Sequence, residues 1–282
     1  MSLFAKLGFG WDRTAVPQGH RFTLERAVFR YKHMLSQFVY DASYLEGNPF
    51  TYPEVKTLMD GVTVGGHRLS DQQQVLNLAD AARELFELVR QDRFVPDKKT
   101  FDHLHALVAR EEALEWGNFR GEGAETHLTP HVQLGRDDPY QPLPTRPGAP
   151  ELNRVFREGC TSLENLVGDP LERGMAFFLF GALQQFYFDG NKRTSRFMMN
   201  GILMSNGMDA ISIPAREAQA FNERMVRFYQ TKNATEMMAF LVSCQPENAP
   251  GPSRDNAGFP DIPDPDNEPD PSPPTPSFGP RM

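Results

Sequence analysis

One short segment, Gln185-Phe-Tyr-Phe-Asp-Gly-Asn-Lys-Arg-Thr-Ser-Arg196, constrains the fold more than any other part of the chain. An acidic residue, a glycine and an asparagine lead directly into a basic run of helix-forming residues. Gly190 allows the backbone to approach an anion closely. The free N–H groups at the start of the following helix would face that anion. The segment therefore predicts a loop that enters a helix and holds a phosphate.

Three side chains of this segment fit the same site. Arg193 and Arg196 are three residues apart, so they share one face of a helix. Asp189 lies where a carboxylate could hold a divalent metal against the phosphates. No histidine precedes the loop, and Gln185 stands at its start. An amide does not titrate near neutral pH, so this side chain can form hydrogen bonds but cannot act as a base.

Composition excludes several classes of protein. The formal net charge of -8 argues against general nucleic-acid binding, which normally needs a basic surface. No apolar run approaches the roughly 18 residues of a membrane span, and the first residues lack the pattern of a signal peptide. Cys160 and Cys244 are too few for a disulfide scaffold and suit a reducing compartment. We therefore expect a cytoplasmic protein that binds neither membrane nor nucleic acid, although delivery by a secretion system would leave no mark here.

The chain divides into three parts. We predict an N-terminal extension over residues 1–19, a helical domain over residues 20–245 and a tail over residues 246–282. The tail contains half of the 24 prolines, and its seven acidic residues and two arginines carry -5 of the net charge. It has few large apolar residues to offset the entropy of ordering, so we predict that it is disordered.

Apolar residues recur with helical spacing through most of the domain and predict about eight helices. The first is predicted as one element over residues 22–45. Ser70 and Gln73 form a capping box for a long helix. Asp97 and Asp169 are predicted caps of two later helices, the second of which has proline at its first position.

Residues 117–150 differ in character from the rest of the domain. They are rich in Gly, Pro, Thr and Asp, and they contain two short alternating pieces, Thr126–Thr129 and His131–Leu134. This pattern predicts a β-hairpin within a long surface loop. Loops of this length are uncommon in compact domains and often carry function.

The phosphate segment resembles the signature of the Fic/Doc (Fido) family, His-Pro-Phe-x-(Asp/Glu)-Gly-Asn-(Gly/Lys)-Arg-x-x-Arg. Residues 117–150 stand where that family carries a hairpin flap on which target proteins dock. Ala42-Ser-Tyr-Leu-Glu-Gly-Asn48 resembles the family's inhibitory motif, (Ser/Thr)-x-x-x-Glu-(Gly/Asn). The resemblance covers about residues 20–245. It implies a mainly α fold, a Fic-type helical bundle with a small β-hairpin flap.

The resemblance also implies a role for each matching residue. Asp189 would hold Mg²⁺. Four residues would cradle the α- and β-phosphates of ATP: Gly190, Asn191, Lys192 and Arg193. Arg196 would contact the γ-phosphate or pair with Glu46, the inhibitory glutamate. The family's usual reaction transfers AMP from ATP to a hydroxyl of a target protein, and such a target or partner protein would dock at the 117–150 flap.

Phe186 and Tyr187 stand where the family pattern has proline and phenylalanine, and two further departures bear on activity. Gln185 stands in place of the histidine that deprotonates the target hydroxyl, and general-base catalysis is worth about 10²–10⁴-fold. Loss of the base leaves the positioning of the nucleotide and the electrostatic contribution of the metal intact, so we expect at most slow turnover. Ala42 replaces a Ser or Thr whose hydrogen bond steadies the inhibitory helix. By family geometry, His127 in the flap is the nearest candidate for a substitute base.

Two functions follow from these residues. One is a nucleotide-binding enzyme that transfers AMP to a protein hydroxyl without the usual base. The alternative is a catalytically silent nucleotide-binding or protein-interaction module on the same scaffold. Phosphoryl transfer in the manner of Doc ranks third, because it too would lack the histidine.

Overall fold

The computed structural model describes residues 3–246, so the predicted tail lies outside the described residues apart from Pro246. Within them the chain is mainly α, with one two-stranded antiparallel sheet, as predicted. The α-helices are α1 (Leu3–Leu7), α2 (Leu24–His33), α3 (Leu35–Tyr44), α4 (Tyr52–Met59), α5 (Leu69–Arg90), α6 (Lys98–Val108), α7 (Pro150–Leu166), α8 (Pro170–Gln184), α9 (Asn191–Met204), α10 (Ala218–Thr231) and α11 (Thr235–Ser243). The strands are β1 (Val132–Leu134) and β2 (Asp137–Tyr140). None of these helices combines the length and the apolar character that crossing a lipid bilayer requires.

The predicted helix over residues 22–45 is divided into α2 and α3. The division lies at Met34, whose φ of -97° and ψ of 10° depart from helical geometry. This division and the short α1 account for much of the difference between the eleven α-helices of the described residues and the predicted eight.

The predicted capping box at Ser70 and Gln73 is wrong. The helix α5 begins two residues earlier, with Arg68 in extended conformation as its N-cap and no side-chain cap. Ser70 consequently lies inside the first turn. The side-chain caps of the two later helices are confirmed, because Asp97 accepts a hydrogen bond from the N–H of Thr100 and Asp169 accepts two at the start of α8.

The N-terminal residues 3–19 pack against the domain. Leu7 and Phe9 are fully buried in the core. The indole Nε1 of Trp11 donates to the carboxylate of Glu172 on α8 at 2.8 Å. The predicted extension is therefore part of the folded body over the residues that the structure describes.

The helices α8 and α9 lie at the centre of the domain, and two glycines allow them to pack closely. A Cβ at Gly181 would lie 2.0 Å from the hydroxyl of Ser195, and one at Gly174 would lie 3.2 Å from the carbonyl oxygen of Met199. The loop between the helices, residues 185–190, is consequently held within the folded core rather than projecting from it.

Five buried aromatic rings pack beneath this loop. The ring of Phe186 lies 4.8 Å from that of Phe119 and 5.2 Å from that of Phe156, measured between centroids. The ring of Tyr187 lies 4.9 Å from that of Phe101. Burial of each ring stabilises the fold by about 1.5–3 kcal/mol, so the loop is fixed to the core by its own apolar side chains.

The predicted β-hairpin is confirmed, but it takes up only part of residues 117–150. β1 and β2 pair antiparallel near the middle of the region. The piece Thr126–Thr129 forms no strand. Instead the carbonyl oxygen of Leu128 accepts a hydrogen bond from the hydroxyl of Thr145 at 2.6 Å, and the hydroxyl of Thr129 accepts one from the N–H of the same threonine.

Arg120 joins the flap region to the loop between α8 and α9. Its side chain is fully buried, and its Nε donates to the carbonyl oxygen of Gln185 at 2.6 Å. The other guanidinium nitrogens donate to the hydroxyl of Thr145 at 2.7 Å and the carbonyl oxygen of Leu143 at 2.6 Å. Burial lowers the pKa of Arg120 to about 10, so the side chain stays charged at neutral pH.

We expect Arg120→Met to lower the free energy of unfolding by about 3 kcal/mol, because three buried acceptors lose a charged donor. Urea unfolding followed by circular dichroism measures this loss. Arg146→Met is the matched control, since that side chain is 60% exposed and forms one ion pair. The control should change stability by less than about 0.5 kcal/mol. A loss below about 1 kcal/mol for Arg120→Met would show that its contacts contribute little.

Candidate functional site

The side chain of Asn191 fixes the conformation of the loop before α9. Its Oδ1 accepts from the N–H of Tyr187 at 2.9 Å, and its Nδ2 donates to the carbonyl oxygen of the same residue at 2.9 Å. The Nδ2 also donates to Oε1 of Gln185 at 3.1 Å. The amide of Asn191 is therefore engaged within the loop, and its backbone N–H is the group left for a ligand.

Gly190 is the N-cap of α9 and has a φ of +72°, which L side chains rarely adopt. The first hydrogen bond of the helix runs from the N–H of Thr194 to the carbonyl oxygen of Gly190 at 2.9 Å. The N–H groups of residues 191–193 consequently have no acceptor within the helix. Together with the helix dipole, they form a helix entrance suited to an anion, whereas the binding of a phosphate there stays a prediction.

Buried His105 supports this loop from α6. The N–H of Gly117 donates to its Nδ1 at 3.0 Å, so Nε2 carries the proton and donates to the carbonyl oxygen of Asp189 at 2.9 Å. The ring stacks on that of Tyr187, with centroids 3.6 Å apart. Burial lowers the pKa of His105 to about 3. A neutral imidazole therefore holds the backbone just before Gly190.

Arg193 is buried among three carboxylates. Its Nη1 lies 2.6 Å from Oε2 of Glu112, its Nη2 lies 3.5 Å from Oδ2 of Asp189, and its Nε lies 4.0 Å from Oε2 of Glu46. Burial acts to lower the pKa of Arg193, but the three carboxylates outweigh it and raise that pKa. The guanidinium is therefore held in its charged form. Sequence analysis missed Glu112, which belongs to no recognisable motif.

Glu46 lies on the turn after α3, opposite Arg196. Its Oε1 lies 3.4 Å from Nη2 of that arginine. Burial acts to raise the pKa of Glu46, but Lys192, Arg193 and Arg196 outweigh it and lower that pKa. The structure thus brings the predicted glutamate and arginine together, whereas the inhibitory role of Glu46 stays a prediction. Ala42, one turn earlier on α3, has no side-chain hydrogen bond to offer.

Two guanidinium N–H groups of this cluster are buried without an acceptor. They belong to Nε of Arg193 and Nη1 of Arg196. A buried charged donor that lacks an acceptor costs free energy, which an incoming acceptor recovers. A ligand with several anionic oxygens would satisfy both groups.

Both carboxylate oxygens of Asp189 have a partner, since Oδ2 lies near Arg193, but the side chain stays largely exposed. Its Oδ1 accepts from the N–H of Gly190 at 2.6 Å, and its side chain is 63% exposed. Magnesium in nucleotide sites is usually held by one or two carboxylates together with substrate phosphates and water. The carboxylate of Asp189 therefore fits a metal that arrives with a nucleotide. Among residues 3–246 there is no group of three or more His, Cys, Asp or Glu side chains arranged to hold a metal ion.

Gln185 ends α8 in the left-handed conformation, with φ of 51° and ψ of 58°. Its Nε2 donates to the carbonyl oxygen of Ala182 at 2.6 Å and lies 3.5 Å from the hydroxyl of Tyr229. Its Oε1 accepts from Asn191. The amide is therefore buried and engaged in the framework of the loop, and it contains no group that takes up a proton at neutral pH.

Of the two other side chains that could be considered as a base, Tyr187 is excluded by its surroundings, whereas a role for His127 stays a prediction. His127 is exposed, and its backbone N–H donates to the carboxylate of Glu125 at 2.7 Å within its own loop. The hydroxyl of Tyr187 is buried and donates to Asp102 at 2.8 Å. Burial raises the pKa of Tyr187 well above its ordinary value, so this residue is not a base.

No protein-family model matches the chain. The chain is 22% identical over 214 residues to the protein adenylyltransferase Fic of Aedes aegypti and 21% identical over 218 residues to that of Nematostella vectensis. Each match covers 74% of this chain, but 39% of the first relative and 46% of the second. The chain thus spans less than half the length of these curated relatives.

Two solved structures share the fold. A Fic family protein from Desulfovibrio desulfuricans matches with a TM-score of 0.61 at 17% identity, over 76% of this chain and 62% of that one. A Fic domain containing signaling protein from Bacteroides thetaiotaomicron matches with a TM-score of 0.59 at 16% identity, over 86% of this chain and 90% of that one. At these identities, the likeness is one of fold.

The neutral state of His105 predicts a loss of stability in acid. The unfolded chain binds this proton below pH 6.5, whereas the folded chain binds it only near pH 3, so stability falls as the pH drops below 6.5. The expected loss is about 2 kcal/mol between pH 7 and pH 5. Urea unfolding at several pH values measures it, with His105→Gln as the comparison that lacks this titration. Equal pH dependence in the two proteins, or a His105 signal that titrates near 6.5 by NMR, would contradict the prediction.

Proposed function

We propose that this chain, which has the Fic fold, binds ATP with a divalent metal at the entrance of α9. The observation that carries the proposal is that the buried guanidinium groups of Arg193 and Arg196 each have one nitrogen without an acceptor, Nε in the first and Nη1 in the second. They belong to the same first turns of α9 whose N–H groups at residues 191–193 have no acceptor within the helix. Phosphate oxygens supply the negative charge and the several acceptors that this arrangement needs.

Each residue of the loop has a separate part in binding the phosphates. The backbone N–H groups of residues 191–193 would donate to the α- and β-phosphates, with Lys192 adding positive charge from the helix surface. Arg196 would donate to the γ-phosphate once Glu46 has moved. Asp189 would hold Mg²⁺, which when bound neutralises phosphate charge and fixes the geometry of the triphosphate.

We propose that any transfer of AMP by this chain is slow. In that reaction the oxygen of a target hydroxyl attacks the α-phosphorus, pyrophosphate leaves, and the hydroxyl proton must be removed. Gln185 cannot accept the proton, because an amide has no basic nitrogen. The proton would pass to water, without the rate enhancement of about 10²–10⁴-fold that a positioned base supplies.

A catalytically silent nucleotide-binding or protein-interaction module is the second candidate. The observation that favours it is the set of hydrogen bonds that engages both ends of the Gln185 amide. In either case, the proposed docking surface for a target or partner protein is the 117–150 flap. Leu128 in that region is 54% exposed and nearby Trp116 is 41% exposed, as suits a surface that contacts another protein.

Removal of Arg196 tests the proposed phosphate site. We expect Arg196→Ala to weaken the binding of ATP with Mg²⁺ at least about tenfold, because a charge-assisted hydrogen bond contributes about 1.5–3 kcal/mol. Isothermal titration calorimetry measures the affinity. Arg227→Ala, at an exposed arginine that pairs with Glu236 on α11, is the matched control. Equal affinities for Arg196→Ala and the wild-type chain would refute this location of the phosphates.

Restoring the histidine tests the reaction. We expect Gln185→His to raise the transfer of labelled AMP to proteins of a lysate by about 10²-fold or more over the wild-type chain. A histidine tolerates the left-handed conformation at this position better than a bulkier β-branched residue would. Label is counted after electrophoresis of samples incubated with labelled ATP and Mg²⁺. A Gln185→His chain that binds ATP but transfers no AMP would favour the silent module.

A further inference from the structure

A ring of polar side chains surrounds Arg193, next to the loop of residues 185–190. Arg193 joins Glu46 on one side and Glu112 on the other, at 4.0 Å and 2.6 Å. The Nε2 of Gln74 on α5 donates to Oε2 of Glu112 at 3.0 Å. The Nδ2 of Asn48 donates to Oε1 of Gln74, also at 3.0 Å. Because Asn48 lies two residues after Glu46 on the same turn, the ring is closed through the backbone.

Within this ring Glu112 is the nearer partner of Arg193. Its Oε2 lies 1.4 Å closer to the guanidinium than Oε2 of Glu46 does, by the two distances of 2.6 Å and 4.0 Å. Its Oε1 accepts from Nδ2 of Asn77 at 3.2 Å. The carboxylate is therefore fixed from α5 by two amides, and it occupies an Nη1 donor of Arg193 that a phosphate would otherwise receive.

We infer that Glu112 is a second carboxylate that withholds Arg193 from phosphate, and that the contact between Asn48 and Gln74 couples its release to that of Glu46. This inference rests on the function proposed above. Glu112 acts through Arg193 and is a positioning residue. In this arrangement, displacement of Glu46 alone does not open the site.

The charges of the cluster support two displaced carboxylates rather than one. Three cations, Lys192, Arg193 and Arg196, face three carboxylates, Glu46, Glu112 and Asp189. The formal charges of these six side chains therefore balance without a ligand. A triphosphate would add several negative charges to a site in which every cation is already balanced by a carboxylate. Its oxygens would lie near both glutamates. Asp189 would remain, because it would hold the metal, whereas the two glutamates would lie beside the phosphates.

The position of Asn48 explains why the two glutamates are coupled. Asn48 is buried, its Nδ2 also donates to the carbonyl oxygen of Asp71 at 2.9 Å, and its Oδ1 accepts from the N–H of Phe50 at 3.1 Å. A movement of the turn that carries Glu46 therefore disturbs the donor to Gln74. Gln74 in turn holds Glu112, so a ligand that displaces either glutamate loosens the other.

Calorimetry with ATP and Mg²⁺ tests this arrangement on four full-length chains: the wild type, Glu46→Gln, Glu112→Gln and the double variant. We expect Glu112→Gln to tighten ATP binding about tenfold, because a neutral amide no longer competes for the guanidinium. Glu111→Gln, at the exposed neighbouring glutamate, is the matched control and should leave the affinity unchanged. A gain in affinity separates this role from a purely structural one, since damage to the fold would weaken binding.

The double variant tests the coupling. The fold-change in its affinity should differ at least threefold from the product of the fold-changes of the two single variants. Gln74→Leu should remove that difference.

If Glu112→Gln folds poorly by thermal melting, Glu112→Asp serves in its place, because the shorter side chain withdraws the carboxylate and should also tighten binding. Unchanged or weaker affinity in folded Glu112 variants overturns the inference while leaving the proposed function in place. Failure of all the chains, including the double variant, to bind ATP overturns the proposed function itself.

Discussion

The structure of the site depends on the burial of positive charge at the start of α9. Arg193 and Arg196 lie inside the domain, where an uncompensated guanidinium would be costly. Their compensation determines where other elements end. The turn after α3 delivers Glu46, and the segment after α6 delivers Glu112. The helices α3 and α6 are therefore placed around α9 by a charge requirement as well as by apolar packing. Nε of Arg193 and Nη1 of Arg196 are still without acceptors, so the protein alone does not pair all the polar groups of the two guanidinium groups.

Neutral contacts, by contrast, hold the shape of the loop. Asn191 binds the backbone of Tyr187, and neutral His105 binds the carbonyl oxygen of Asp189. None of these hydrogen bonds involves Glu46 or Glu112. Exchange of a carboxylate for a phosphate would therefore leave the loop intact, because the groups that shape it are separate from the groups that balance its charge. This separation is what a preformed binding site requires, since the ordering of the loop is already complete before a ligand arrives.

The sequence predicted the parts of the site that depend on local spacing. Asp189, Gly190 and the two arginines follow one another within eight residues, so their common location is a consequence of helix geometry. The Fic-type fold and the approach of Glu46 to Arg196 were predicted from a resemblance that spans the domain, and both agree with the structure.

Glu112 and His105 could not be predicted from the sequence. They reach the loop from 81 and 84 residues away, and no local pattern marks them. The break at Met34 likewise has no sequence signal, because the apolar spacing continues across it.

Gln185 stands where the resemblance places a histidine, and its side chain has a structural part in the loop but no basic group. A neutral imidazole has one donor and one acceptor on opposite sides of a rigid ring, whereas the amide places both on one flexible arm. Gln185 uses the donor on Ala182 and the acceptor on Asn191, so it joins the end of α8 to the start of α9. A residue kept free to accept a proton could not make both contacts. Gln185 therefore serves the framework of the loop, whereas a base would need a ring nitrogen that no neighbouring donor engages.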